Sequence, residues 1–183
     1  MTSDNIYSEI QQDLLRPIFI SSMMANDAFL RDWALSGEKN VDQIKRFLEE
    51  IRREYDTVTS FFVSEETRNY YYGGGILKQV NQDEPRDVWY FRVSEMDQPF
   101  EINVDVDMAN KDALTIFVNY RVYDYEQNYI GVAGTGLTVN HVNAMIEEYE
   151  EQFNREIFFV SNDGQIVLGP QGGPLATYDS ISN

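Results

Sequence analysis

The chain has 183 residues, with 31 acidic against 14 basic side chains and a formal net charge of −17. That field argues against nucleic acid and against an anionic membrane surface, because both need a basic face to bind. With no cysteine and a single histidine, His141, the chain excludes disulfides, thiolate metal sites, a cysteine nucleophile and any two-histidine metal site within one copy.

Residues 1–36 read as one long helix, since Ile6, Tyr7, Ile10, Leu14, Ile18, Met24, Phe29 and Trp33 recur at helical spacing. Pro17 predicts a kink or a fresh start inside it. The N-terminus lacks the basic, apolar and small-residue order of a secretion signal, which leaves a cytosolic protein or one whose signal has been removed. No apolar run approaches the roughly 20 residues of a spanning helix. A second helix follows over 41–54, with Ile44, Phe47, Leu48 and Ile51 on one face.

From residue 56 the period becomes alternating. Segments 57–63 and 67–72 read as a hairpin around Ser64-Glu65-Glu66, and Gly73-Gly74-Gly75 ends its second arm. Residues 76–98 read as polar and irregular around Pro85, with a short helix over 86–94. Three strands are expected at 100–106, 113–123 and 129–137, joined by turn-like segments at 107–112 and 124–128. A helix is expected over 140–154, with Val142, Met145, Ile146, Tyr149 and Phe153 on one side. Asn162-Asp163-Gly164 between apolar runs predicts a last hairpin, 156–160 with 165–168. This order defines an α+β fold, with a five-stranded antiparallel sheet and helices on one face.

Four segments carry a family resemblance: Arg86-Asp87-Val88-Trp89-Tyr90-Phe91-Arg92, Phe100-Glu101-Ile102-Asn103-Val104-Asp105, Phe117-Val118-Asn119-Tyr120-Arg121-Val122 and Gly131-Val132-Ala133-Gly134-Thr135-Gly136-Leu137. Together they resemble the extracytoplasmic double Cache (PAS-like) sensor domains of bacterial histidine kinases, chemoreceptors and diguanylate cyclases. The resemblance implies a stalk helix over 1–36, a membrane-distal PAS-like lobe over 37–154 and the start of a membrane-proximal lobe over 155–183. It implies a non-enzymatic module on the periplasmic side of a membrane-anchored receptor, binding a small ligand between the sheet and the layer that contains Trp89 and Tyr90. The amino-acid-binding members carry an Arg two positions before the Trp and an Asp just after the Gly-x-x-Gly. This chain has Asp87 and Gly136 at those places.

The alternation of the middle strands nominates the site. Asn103, Asp105 and Asp107 share one face of their strand, and Phe117, Asn119 and Arg121 share one face of the next. Arg121 or Arg92 would hold a carboxylate in a bidentate pair, with Asn103, Asn119 and Asp105 hydrogen-bonding polar groups. Trp89 and Tyr90 would close the cavity, and Tyr70 or Tyr72 would reach it from the hairpin. The ligand expected is a polar or anionic metabolite. The bland alternative is a solvated face on which Arg121 pairs with Asp105 across the strands. Asn103-x-Asp105-x-Asp107 is not a calcium loop, since Met108 and Leu114 stand where the Gly and the bidentate Glu belong; Asp105, Asp107 and Asp112 leave at most a looser cation site. The glycine triplet lacks the Lys-Ser/Thr of a phosphate loop, and the glutamates at 147, 148, 150 and 151 form the wet side of their helix. No cofactor, metal or catalytic residue is expected, a hydrolase built on His141 lacking a nucleophile elbow. The first helix carries more apolar residues than one sheet should bury, which predicts a parallel homodimer. The rival reading is a cytosolic PAS-like interaction domain without a ligand.

Overall fold

The structure, a computed structural model, describes residues 15–154, 156, 159–160 and 166–168, in a larger unit that ends at Leu137 and a smaller one that begins at Thr138. In the larger unit three helices precede the sheet: α1 (residues 15–25), α2 (Ala28–Leu35) and α3 (Val41–Glu54). The helix expected to run through residue 36 breaks at Asn26-Asp27. There Asp27 is extended and caps α2, its carboxylate accepting from the Phe29 and Leu30 amides at 2.8 and 3.3 Å. Pro17 lies in the first described turn of α1, the residues before 15 lying outside the described ones, and the break at Asn26-Asp27 falls ten residues after it.

The sheet has six strands: β1 (Thr59–Ser64), β2 (Asn69–Tyr72), β3 (Gly75–Gln79), β4 (Phe100–Asp107), β5 (Ala113–Tyr123) and β6 (Tyr129–Thr138). Their order is β3-β2-β1-β6-β5-β4. The expected count of five is corrected to six. Residues 75–79, read as irregular, turn back at Gly73-Gly74 and pair antiparallel with β2. This edge strand has only one well-covered side, so its composition carries no apolar alternation. Between β3 and β4 run a 3-10 turn (Pro85–Asp87) and α4 (Val88–Glu95).

Strand β1 is buried along its whole length, and its alternation divides the core. Phe62, with Tyr71, Val122 and Ala133, packs against Met24, Leu30, Trp33, Ile44 and Leu48 of the three helices. Phe61 and Val63, with Tyr70, Phe117 and Val132, face the other way and meet Tyr90 and Val93 of α4. Each such side chain removed from water contributes roughly 1.5–3 kcal/mol before entropy is subtracted. The Ser21 and Thr135 hydroxyls, 3.0 Å apart, pin α1 to β6 beneath this core. Gly134 lets β6 lie close to β5, since a Cβ there would stand 1.8 Å from the Val118 carbonyl oxygen.

In the smaller unit α5 spans Val139–Phe153, and β7 (Phe159–Val160) pairs antiparallel with β8 (Ile166–Leu168). Glu147, Glu148 and Glu151 are exposed. The turn expected at 161–164, the side chain of His141 and residues 1–14 lie outside the described residues. No described helix is long and apolar enough to cross a membrane.

Candidate functional site

The sheet face turned away from α1–α3 is roofed by the Pro85–Asp87 turn and α4. Between roof and sheet lies a cavity lined by Phe61, Tyr70, Arg86, Trp89, Asn103, Asp105, Val106, Met108, Phe117 and Asn119. The β4–β5 register builds its floor, for Asn103 stands opposite Phe117 and Glu101 opposite Asn119, so successive same-face side chains point up from both strands. Phe61 organises the aromatic wall. Its ring stacks on Tyr70 at 5.4 Å and meets Trp89 and Phe117 edge-on at 5.9 and 6.0 Å. The cavity volume is about 20 Å³, room for about one water.

Six of the ten nominated residues line this cavity: Tyr70, Trp89, Asn103, Asp105, Phe117 and Asn119. Tyr72, Tyr90, Arg92 and Arg121 do not, and three of these hold the roof down instead. Arg92 makes a two-pronged pair with Glu101 at 2.7 and 3.0 Å, tying α4 to the edge strand β4. Arg121 donates to the Met96 carbonyl and, at 3.2 Å, to the Ser94 carbonyl, groups at the electronegative end of α4. The Tyr90 hydroxyl donates to Glu65 at 2.6 Å; burial, first, and the neighbouring acid push its ionisation far beyond the usual tyrosine range. The alternative Arg121–Asp105 cross-strand pair does not form, because Asp105 stands opposite Thr115, six residues from Arg121 along β5.

Four lining residues escaped the sequence reading: Phe61, Arg86, Val106 and Met108. Phe61 was accessible through the alternation of β1, and Arg86 through its spacing, one helical turn before Trp89. Val106 and Met108 come in through the end of β4 and the 3-10 turn after it (Met108–Asn110), for which composition gives no signal. Arg86 sits at the mouth, where its guanidinium meets Asp112 of the β4–β5 connection at 2.5 Å.

The two departures from the amino-acid-binding pattern have structural occupants. Asp87 is wholly buried, paired with Lys78 Nζ at 2.7 Å and accepting from the Asn81 amide at 2.8 Å. It ties the roof to β3. At Gly136 a Cβ would stand 2.7 Å from the methyls of Thr59 and Thr115, so no acidic side chain fits there without displacing both. Beneath the wall lies Asp107, also buried. Its Oδ1 accepts from the Ala109 amide at 3.0 Å while its Oδ2 has no partner, and burial raises its carboxyl above the usual range. Among the described residues, no three metal-ligating side chains gather into a cation site.

The fold is that of the sensory ligand-binding domains of bacterial chemoreceptors and histidine kinases, the class to which the sequence resemblance pointed. The chain is similar to the ligand-binding domain of the Pseudomonas aeruginosa PAO1 amino acid chemoreceptor PctC, solved in complex with GABA. The TM-score is 0.69 at 16% identity, over 98% of this chain and 78% of that one. It is similar to the ligand-binding domain of the Pseudomonas fluorescens chemoreceptor CtaA in complex with L-serine, with TM-score 0.66 and 16% identity over 92% and 69% of the two chains. The sensor domain of the V. cholerae histidine kinase DctB gives 0.61 and 13% over 92% and 64%. No protein-family model matches the chain. At these identities the likeness is one of fold.

Proposed function

We propose that this chain is the ligand-binding sensor domain of a bacterial signalling receptor, without enzymatic activity, and that it takes a small polar metabolite beneath the Trp89 roof. The observation that supports this is the cavity itself, with four aromatic rings and the polar groups of Asn103, Asp105 and Asn119 converging under one covering layer. In this reading Tyr70, Trp89 and Phe117 enclose the ligand's apolar body, and the two asparagines and Asp105 orient it. Arg92 and Arg121 govern how easily the roof moves. A metabolite binds the expanded state more tightly and shifts the population toward it, and that differential affinity is the signal. The receptor reading brings with it an extracytoplasmic position and attachment to a membrane. GABA and L-serine, the compounds named with the similar domains, are the first candidates for a screen.

Thermal-shift measurements on the chain, with these two compounds and panels of carboxylates, amines, nucleobases and sugars, test the proposal. A ligand present at a hundred times its Kd adds about 2.7 kcal/mol, which for a chain of this size raises Tm by about 5–10 °C. The shift should depend on concentration and vanish in Trp89→Ala. A panel that moves Tm nowhere up to millimolar concentrations, or a shift that survives Trp89→Ala unchanged, would overturn the reading.

A further inference from the structure

We infer that the ligand of this cleft is a small organic cation, an amine whose ammonium rests against Asp105 and the surrounding aromatic faces. The inference builds on the sensor reading above and adds the sign of the ligand's charge. Two formal charges line the cavity, those of Arg86 and Asp105. Arg86 is already neutralised by Asp112 at the mouth. Asp105 forms no ion pair among the described residues, and the hydrogen bond it makes is to its own neighbour, the Val106 amide at 2.8 Å. The side chains that would have received an anion are committed elsewhere: Arg92 to Glu101, Arg121 to the carbonyls that close α4.

The uncharged walls point the same way. The Phe61 ring lies 5.4, 5.9 and 6.0 Å from those of Tyr70, Trp89 and Phe117, and Tyr70 lies 6.4 Å from Trp89. Stacked aromatic faces attract a desolvated cation by up to about 2 kcal/mol per favourable ring. Behind Tyr70 lies Asp107, buried, with one carboxylate oxygen unpaired, and its charge adds to the raising of the Tyr70 hydroxyl by burial. Negative potential thus comes from below the rings as well as from beside them. The chain's net charge of −17 enriches cations around it and repels carboxylates before they reach the mouth. A ligand carboxylate would have to displace Asp112 from Arg86 inside this field, whereas an ammonium finds Asp105 without a salt-bridge partner, the Arg86 and Arg92 guanidiniums acting on it only at longer range.

Isothermal titration of the full chain with choline and putrescine, against succinate and glutarate, reads the sign directly. At least one of the two cations should bind, and succinate should not. Asp105→Asn should weaken the cation at least tenfold, Asp105→Glu should recover part of the loss, and the unliganded Tm of both variants should stay within a few degrees of the wild type. Binding of succinate or glutarate with neither cation bound, or a cation whose Kd is unmoved in Asp105→Asn, overturns the inference. In that event, loss of the bound compound in Trp89→Ala leaves the sensor reading standing. If none of the four probes nor any compound of the wider panels binds, both fail together.

Discussion

Asp87 is a buried carboxylate between the roof and β3. A buried carboxylate survives only with partners that replace its water, and here Lys78 and the Asn81 amide supply them. Removing one member of such a pair leaves the other group desolvated and unpaired, which costs more than the pair contributes. Asp87→Ala should therefore destabilise the chain by about 3 kcal/mol in urea unfolding, and a loss under about 1 kcal/mol would show that water already reaches the pair. The Asp at this position was legible in the sequence, two residues before Trp89. Its partner was not, because Lys78 lies in a segment whose composition reads as irregular, and the pair exists only once β3 has formed. Arg92 and Arg121 carry the same lesson in reverse. Strand alternation placed Arg121 on the correct face, but its height along β5 puts it against the end of α4 rather than over the cavity.

At the scale of elements, the proposed function makes α4 the part that moves. Its inner face carries Tyr90 and Val93 into the core, and three polar clamps reach it from separate elements: Glu65 after β1, Glu101 on β4 and Arg121 on β5. Bonds from a charged donor to carbonyls contribute about 1.5–3 kcal/mol, while the half-exposed Arg92–Glu101 pair contributes no more than about 1. Arg121→Ala should thus raise hydrogen exchange at the α4 amides about tenfold or more and leave β1 and β6 protected, as local opening requires. Equal acceleration in the central strands would mean that Arg121 supports the fold and not the roof. Periodicity made the long α3 and the strands β4–β6 readable, since each spans several repeats of its pattern. The break at Asn26-Asp27 was missed because apolar residues keep helical spacing across it, so that only the capping carboxylate of Asp27 marks the new start.

For the whole molecule, the α+β class and the antiparallel meander followed from the order of elements, while the cavity emerged only from the register between β4 and β5 and the folding of the loop over it. One expectation extends beyond a single chain. Leu15, Phe19 and Met23 stand exposed at successive turns of α1, with Phe19 at 68%, and we propose that this stripe pairs with its counterpart in a second copy. Sedimentation velocity should find a dimer at micromolar concentration that Phe19→Glu converts to monomer without lowering Tm; a wild-type chain that stays monomeric at hundreds of micromolar contradicts it. The roofed cleft is tested most directly by a crystal structure of the chain grown with the compound that gives the largest thermal shift. Ligand density is expected between Trp89 and the Phe61–Phe117 floor, within hydrogen-bonding reach of Asp105, with α4 raised and the Arg86–Asp112 pair parted. Density elsewhere on the molecule, over a cleft still holding no more than one water, would contradict the account.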